Sequence, residues 1–505
     1  MNETPVRPAT RRRSKWGWFW RLGLGLLAAL VLLVTGRGWW AFRDRFPGYE
    51  VALRVDPAAA AAAGRPFQAG FGRRKITPDI SDPARPVWLA GFSQNRPALA
   101  VHDDLWAMAA VLDDGVTRFG LVVLDSIGFF HDDVVRVRQA VPKEWGLAYV
   151  VVCSTHNHST PDLMGLWGPS PVRSGVDVAY RDFVVREAVA ALGEAVAGRQ
   201  PARMTALEIP TPPEGLVADT RRPQVFDADL RVLHFTSPAD GKTLGTLVGW
   251  GNHPETPWAG NQDLTADFPG VLRDSLEQGV VSGGQVRLPG LGGTHVFVNG
   301  AVGGLMTTHP NTTVRDPFSG EEFRKPSHEK TRALGSQLAR RVLDRLLVAP
   351  KAPEAATVPI GIQARTIRLS LDNPGFLVAG LLGILNRGHS AWREVRTEVA
   401  LITVGEASML CVPGEIYPEI VNGGVVKAEG ADFGVDPVEV PPLRELMPGR
   451  VKFVFGLAND EIGYIVPKSQ WDARPPHPYH DGKKPYGEVN SMGPETGPRL
   501  HAELA

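Results

Sequence analysis

The chain has 505 residues, in which 54 Lys and Arg residues balance 54 Asp and Glu residues. A chain of this length forms one large domain or two ordinary ones. Because the charge is balanced, no basic surplus is present to neutralise phosphates, and nucleic acid is not an expected partner. Two cysteines, Cys153 and Cys411, are too few for a disulfide framework, and we expect both to be buried small hydrophobic residues.

The N-terminus is predicted to be a transmembrane anchor. Residues 1–15 form a basic tail, and residues 16–42 form an apolar segment long enough to cross a bilayer. Tryptophans mark both expected interfaces: Trp16, Trp18 and Trp20, then Trp39 and Trp40. The basic flank predicts a cytoplasmic tail and an extracytoplasmic location, periplasmic or extracellular, for the rest of the chain. The alternative is a cleaved signal peptide, although no A-x-A-like site follows the apolar core.

Residues 43–66 are predicted to be a linker, and residues 67–505 a catalytic domain. The stretch VDPAAAAAAG, Val55 to Gly64, is of low complexity and has no apolar periodicity. From Phe67 onward, apolar runs such as FGLVVLDSIGF and LAYVVVCST alternate with amphipathic helices, including one that follows Ser327. This alternation predicts a mixed α/β fold, in which a layered sheet has flanking helices.

Hairpins are predicted in the middle and the C-terminal third of the chain. LRVLHFTS and LGTLVGWGNH flank the turn DGK, and hairpin-like runs follow in TEVALITVGEASMLCV and VKFVFGLANDEIGYIV. The apolar stretch FLVAGLLGIL, Phe376 to Leu385, is too short to cross a membrane. We interpret this stretch as a core helix, and the alternative is an apolar lip that meets the bilayer beside the anchor.

Residues able to bind a metal follow four apolar strands. His156 and His158 follow AYVVVCST, His253 follows LGTLVGWGN, Glu415 follows SMLCVPG, and Tyr464 lies in NDEIGY after VKFVFGLA. Sites form at the carboxyl ends of strands in α/β sheets because loops converge there. Two imidazoles and a carboxylate, with an open coordination position, are what a catalytic zinc requires. Each motif alone is only weak evidence for a metal, because such side chains also occur packed and hydrogen-bonded.

The order of these motifs resembles that of the neutral/alkaline non-lysosomal ceramidase family, specifically its N-terminal catalytic domain. The resemblance covers nearly everything from Phe67 to the C-terminus. It runs through KITPDISDPARPVWLAGF, VHDDLWAMAAVLDDG, STHNHSTPD, GNHPET, DFPG, VFVNGAVGG, CVPGEIYPE, NDEIGY and YGEVNSMGP. It implies a hydrolase that cleaves the amide bond of an N-acylated lipid such as ceramide, releasing a sphingoid base and a fatty acid.

The resemblance also implies a set of site residues. The family's metal ligands correspond to His156, His253, Glu415 and Tyr464. This donor set suits Zn²⁺ without excluding other transition metals. The resemblance gives His158 an acid/base or substrate-orienting role. In a mechanism that uses metal-activated water, we expect Tyr464 to stabilise the oxyanion as well. Arg221 in DTRRP corresponds to a substrate-positioning arginine, although Thr220 replaces the family's usual asparagine.

One departure from the family concerns a serine that has been proposed as its nucleophile. The family's GDVSPN segment corresponds to NGAVGGLMT, Asn299 to Thr307, and the serine falls on Gly304. A metal-activated water requires no protein nucleophile, because zinc lowers the pKa of bound water to about 7. Two alternatives remain: a metal-dependent hydrolase of another amide or ester, and a catalytically silent relative that binds metal or lipid.

Overall fold

The computed structural model describes residues 15–59, 65–304, 306–348, 355 and 357–505. The basic tail before Lys15 and residues 60–64 of the predicted linker lie outside the described residues. The N-terminal helix spans Lys15–Ala41, within one residue of the predicted segment at either end. Its part Trp18–Ala41 is long and apolar enough to cross a membrane.

Three large sheets form the body of the described structure. The N-terminal sheet contains, in spatial order, Tyr149–Ser154, Arg118–Leu124, Trp106–Asp113, Gln68–Lys75 and Gln200–Pro201. The middle sheet contains Thr294–Asn299, Thr243–Trp250, Leu230–Thr236 and Arg203–Ile209. The C-terminal sheet contains Ala52–Val55, Ile360–Ser370, Glu394–Val404, Ala407–Cys411 and Val451–Phe455.

Among the described residues, five two-stranded ladders join the loops that surround these sheets. They pair Ala100–Val101 with Asp263–Leu264, Ala218–Asp219 with Met306–Thr307, Gly279–Ser282 with Gln285–Pro289, Val314–Arg315 with Glu322–Phe323, and Glu415–Ile416 with Tyr464–Ile465.

One face of each large sheet contributes to a shared central core, and helices cover the opposite faces. In Trp106–Asp113, the alternate residues Met108 and Ala110 face the central core, whereas Ala107 and Ala109 face the helices. Because such strands are buried on both sides, they are continuous apolar runs rather than alternating ones. This layered α/β arrangement with flanking helices confirms the predicted fold class.

The helices lie on these outer faces or between the sheets. Those of the N-terminal sheet are His131–Ala140 and Val178–Ala197, and those of the middle sheet are Asp267–Gln278 and His328–Leu343. The C-terminal sheet is covered by Pro418–Asn422, Leu443–Leu446 and Thr496–Leu504, and Pro374–Leu382 lies between this sheet and the N-terminal helix. Short 3₁₀ or π segments are Lys143–Trp145, Asp344–Val348, Lys468–Gln470, Pro478–His480 and Glu488–Asn490.

Each large sheet has one parallel strand pair at an edge, and the remaining pairs are antiparallel. The parallel pairs are Arg118–Leu124 with Tyr149–Ser154, Thr243–Trp250 with Thr294–Asn299, and Ala407–Cys411 with Val451–Phe455. Parallel strands send both following loops to the same end of a sheet. The loops after these three pairs carry all the residues that the sequence indicated as metal ligands.

Several local predictions are confirmed. Leu230–Thr236 pairs with Thr243–Trp250 as a hairpin, and Glu394–Val404 pairs with Ala407–Cys411 in the same way. The Ser327 side chain accepts a hydrogen bond from the backbone amide of Lys330 and so caps the helix that follows it. Cys153 and Cys411 are free and buried, as expected.

Three segments differ from prediction. VKFVFGLANDEIGYIV is not a hairpin, because Val451–Phe455 pairs with Ala407–Cys411 and Tyr464–Ile465 crosses to another partner. Part of the predicted linker, Ala52–Val55, joins the C-terminal sheet through antiparallel pairing with Ile360–Ser370. The stretch FLVAGLLGIL forms a helix, but only two of its helical residues, Ala379 and Gly380, are buried. The expected core helix is therefore half exposed.

Candidate metal centre

The first imidazole of the site lies just beyond the strand Tyr149–Ser154. The backbone of His156 has a φ of +67°, a left-handed conformation that is uncommon for a residue other than glycine. Its Nδ1 lies 2.7 Å from the carbonyl oxygen of Ile127, and an Nδ1–H donor there leaves Nε2 free to bind a metal. His156 is buried.

The second imidazole, His253, is held in the same way. Its Nδ1 lies 2.7 Å from the carbonyl oxygen of Met306, which again leaves Nε2 free. The buried Asn299 connects the two histidine loops, because its amide donates to the carbonyl oxygens of Thr155 and Asn252, each at 2.9 Å. The orientation of both rings is thus fixed by the backbone of neighbouring loops.

The carboxylate of Glu415 lies between these two free nitrogens. Its Oε2 is 3.0 Å from Nε2 of His253 and 3.3 Å from Nε2 of His156. Glu415 is paired directly with Tyr464 in a two-stranded parallel ladder, and the Tyr464 hydroxyl lies 3.4 Å from Nε2 of His253. The segment after Val451–Phe455 therefore crosses to Glu415 instead of folding back as a hairpin.

The distances between these donor atoms suit a small divalent ion. Two ligands on a tetrahedral zinc, each about 2.0–2.1 Å from the ion, lie about 3.3 Å apart.

Burial opposes ionisation of Glu415, but the two imidazoles outweigh this effect and hold the pKa of Glu415 well below the usual range. Burial also lowers the pKa of His253, but contact with Glu415 produces a net increase. The donor set therefore fits a metal such as zinc.

His158 lies beside this donor set. Its Nδ1 is 3.0 Å from Oε2 of Glu255, but neither ring nitrogen has a hydrogen-bond partner of good geometry among the described residues. Burial lowers the pKa of His158 to about 4 although Glu255 opposes the change, so the imidazole is neutral at pH 7. One nitrogen each of His156, His158 and His253 lie within 4.8 Å of one another. A ligand role for His158 is therefore an alternative to an acid/base role.

A mostly apolar cavity opens onto the donor set. His156, His158, Glu415 and Tyr464 are among the polar residues that line it. Its apolar walls include Ile127, Phe130, Met164, Leu166, Trp167, Leu371, Phe376, Leu385, Val395, Ile462 and Met492. Such a cavity suits an amphiphile whose polar group reaches the donors while its hydrocarbon part contacts the walls.

Arg221 occupies a different position and is not among the residues that line this cavity. Its side chain is fully buried between the rings of Tyr417 and Tyr479, at 4.7 and 4.9 Å from their centroids. Its Nη2 donates to the carbonyl oxygen of Gln470 at 2.6 Å, and its Nη1 lies 3.4 Å from Oε1 of Glu419. The predicted substrate-positioning role of Arg221 stays a prediction.

The loop that contains Gly304 contacts the backbone of Glu415 and its neighbours. A Cβ atom at Gly303 would lie 2.4 Å from the carbonyl oxygen of Glu415, so this close approach requires glycine. Gly304 itself lies against Asp219 and Pro418 and is not among the described residues that line the cavity.

Three further residues of the site were not singled out from the sequence. Glu255 contacts His158, Asn299 connects the histidine loops, and Glu461 lines the cavity. Burial and the charge of Glu415 raise the pKa of Glu461 well above its usual value, and its Oε2 has no hydrogen-bond partner in the described structure. Glu255 and Glu461 lie inside the quoted motifs GNHPET and NDEIGY, where their acidic side chains were the available signal.

No family model and no curated protein matches this chain. Solved structures do match. The crystal structure of neutral ceramidase from Pseudomonas aeruginosa has a TM-score of 0.62 and 16% sequence identity, over 87% of this chain and 73% of that chain. A ceramidase complexed with C2 has a TM-score of 0.62 and 15% identity, over 87% of this chain and 74% of that chain. At this identity the likeness establishes the fold: the chain shares the fold of the neutral ceramidases.

Proposed function

We propose that this protein is a metal-dependent hydrolase of the amide bond of an N-acylated lipid such as ceramide. The observation that carries the proposal is an apolar cavity lined by His156, His158 and Glu415, whose carboxylate also lies 3.0 Å from Nε2 of His253. The fold shared with the neutral ceramidases and the motif order in the sequence support the same reaction.

In this proposal, His156, His253, Glu415 and Tyr464 hold the metal. A bound zinc supplies a Lewis acid that polarises the amide carbonyl and lowers the pKa of water. The backbone carbonyls that accept from the Nδ1 atoms fix the tautomer in which Nε2 is the ligand atom and raise its basicity. The apolar walls exclude bulk water and strengthen the electrostatic interactions of the polar residues that line the cavity.

His158 is the proposed acid/base group. Its neutral Nε2 can accept a proton as water attacks the amide and can return that proton to the leaving amine. The carboxylate of Glu255, at 3.0 Å from Nδ1, stabilises the protonated form of the ring during this transfer. This chemistry needs no serine at Gly304.

The proposal is tested by metal analysis and turnover of the full-length protein in detergent. We expect about one zinc per chain, and release of fatty acid from a short-chain N-acylsphingosine that stops after chelation and returns with added zinc. Bound metal without turnover of any N-acyl lipid would indicate a silent relative. Turnover of simple esters alone would indicate a different hydrolase.

The proposed location is extracytoplasmic, with the N-terminal helix as an uncleaved anchor. The length and composition of Trp18–Ala41 support this location, as do its basic N-terminal flank and its two groups of tryptophans. N-terminal sequencing of the mature protein distinguishes an anchor from a cleaved signal peptide.

A further inference from the structure

The helix Pro374–Leu382, called here the lip helix, separates the cavity from the N-terminal helix. Asn373 caps its first turn by accepting from the backbone amide of Gly375 at 2.8 Å. On one side of the lip helix, Phe376 lines the apolar wall of the cavity. On another side, Leu377 and Leu381 face a groove that the N-terminal helix lines as well. The lip helix therefore contacts both the cavity and the anchor.

The end of the N-terminal helix is fixed to the lip helix by specific contacts. Nε of Arg37 donates to the carbonyl oxygen of Leu381 at 2.9 Å, which satisfies a carbonyl at the C-terminal end of the lip helix. The ring of Phe42 packs edge-on against His389 and Trp392, with centroids 4.7 and 4.9 Å apart. His389 also lines the cavity. These contacts set where the cavity lies relative to the anchor.

Large apolar side chains beside this contact are exposed. The exposed fractions are 55% for Val378, 49% for Leu382 and 67% for Trp392. The lip helix, PGFLVAGLL, contains no charged residue. Apolar side chains grouped in this way mark an interaction surface. They continue the apolar surface of a helix that can span a membrane, at the end where Trp39 and Trp40 lie.

Trp39 and Trp40 indicate where the bilayer surface would lie, at the same end of the N-terminal helix. Tryptophans are enriched at the interface between the hydrocarbon and the headgroups, and Trp39 and Trp40 are both exposed there. The guanidinium of Arg43 stacks on Trp40 at 3.5 Å from its ring centroid, one turn further from the apolar core of the helix. Arginine near the end of a spanning helix reaches towards the phosphates of the lipid headgroups.

We propose that the lip helix and Trp392 insert into the surface of the same bilayer that holds the anchor, so that a lipid substrate enters the cavity laterally from that membrane. The occupant of the exposed apolar surface is then the interfacial layer of a phospholipid bilayer. The substrate part of this inference rests on the proposed function, whereas the insertion of the lip helix does not.

Insertion is tested without reference to activity. The full-length variants L382C and V286C are labelled with a polarity-sensitive fluorophore and reconstituted into phosphatidylcholine vesicles that carry a doxyl quencher. Val286 is a matched control, because it is 64% exposed on the remote strand Gln285–Pro289. The two native cysteines are buried and do not compete for the label. We expect blue-shifted, lipid-quenched emission at position 382 and water-like emission at position 286.

Two results would overturn insertion of the lip helix. Water-like emission at position 382 would show that the surface does not enter lipid. Blue-shifted emission that the lipid quencher does not reduce would assign the surface to a protein partner or a second copy of the chain.

Lateral entry is tested by comparing two forms of the substrate. We expect V378E/L382E to lose at least tenfold in turnover of an N-acyl lipid embedded in the same vesicles. Turnover of a short-chain, water-soluble analogue should change less than twofold. The matched control V116E/V286E, at two exposed valines elsewhere, should change neither. Equal losses on both substrates would contradict lateral entry, whereas no turnover by the wild type would contradict the proposed function instead.

Discussion

Two buried clusters combine histidine with carboxylates in the described part of this protein, and they differ in stoichiometry. At the candidate metal centre, Glu415 faces two imidazoles, those of His156 and His253. In the second cluster, one imidazole faces two carboxylates: Nε2 of His480 lies 3.2 Å from Oδ1 of Asp472 and 3.1 Å from Oε2 of Glu488. The first cluster brings together loops that follow strands of three sheets, whereas the second comes from one segment of the chain.

This difference determines whether a cluster is suited to a proton or to a metal ion. A proton on His480 gives the second cluster a cation between two anions, and the carboxylates raise the pKa of His480 to about 9 against the opposing effect of burial. At the candidate metal centre, both Nδ1 atoms already contact backbone carbonyls, and both Nε2 atoms lie close to one carboxylate. A divalent ion satisfies both nitrogens and the carboxylate together, and a single proton does not.

The largest expected effect comes from removing a ligand of the first cluster. We expect His156→Ala and Glu415→Gln each to lose the bound metal and to lower kcat/KM by about a thousandfold, because a metal supplies several kcal/mol of transition-state stabilisation. Elemental analysis and turnover of a short-chain N-acyl lipid measure the two effects. His480→Gln is the matched control, and it should keep the metal. A His156→Ala protein with full metal content and activity would refute the assignment.

A smaller effect is expected from substituting His158. This substitution distinguishes a role in metal binding from a role in proton transfer. We expect His158→Gln to keep about one metal per chain and to lose about a hundredfold in kcat, in the range typical of general acid–base catalysis. Metal content and kcat are measured on the same sample. Loss of the metal from His158→Gln would instead assign His158 as a ligand together with His156 and His253.

The smallest effect is a pH dependence of stability that belongs to the second cluster. The pKa of His480 is about 9 in the folded protein and about 6.5 in the unfolded chain, so the folded state binds more protons between these values. The stabilisation is complete below about pH 6.5 and is lost as the pH rises through about 9. We expect the free energy of unfolding to fall less between pH 6 and pH 9.5 in His480→Gln than in the wild type.

Urea unfolding of the metal-loaded protein at the two pH values measures this difference. Equal falls in the wild type and in His480→Gln would show that His480 does not carry the pH dependence.

The sequence indicated the residue types of the site because strand ends are recognisable. His156, His253 and Glu415 each follow an apolar run closely, and the structure places all three within contact distance. Arg221 shows the limit of this reasoning, since a motif match gives no position relative to the cavity. Its surroundings come from Tyr417, Glu419, Gln470 and Tyr479, which are remote from it in the sequence.

The lip helix shows the same limit. Its composition left both a core helix and a bilayer-facing lip open. A short, uniformly apolar segment has no periodicity that shows which of its faces is buried. The contact between Arg37 and Leu381 joins residues 344 positions apart, and no local pattern predicts such a pair.

By itself, the sequence determined the N-terminal apolar helix, the mixed α/β class, two hairpins and the donor side chains at the strand ends. Local periodicity and turn chemistry encode these features. The tertiary structure alone decided that three sheets share one core, that Tyr464 pairs with Glu415, and that the lip helix lies between the N-terminal helix and the cavity. A period-two apolar pattern specifies that a strand is buried but not which strand lies beside it, and partner choice depends on packing across the whole chain.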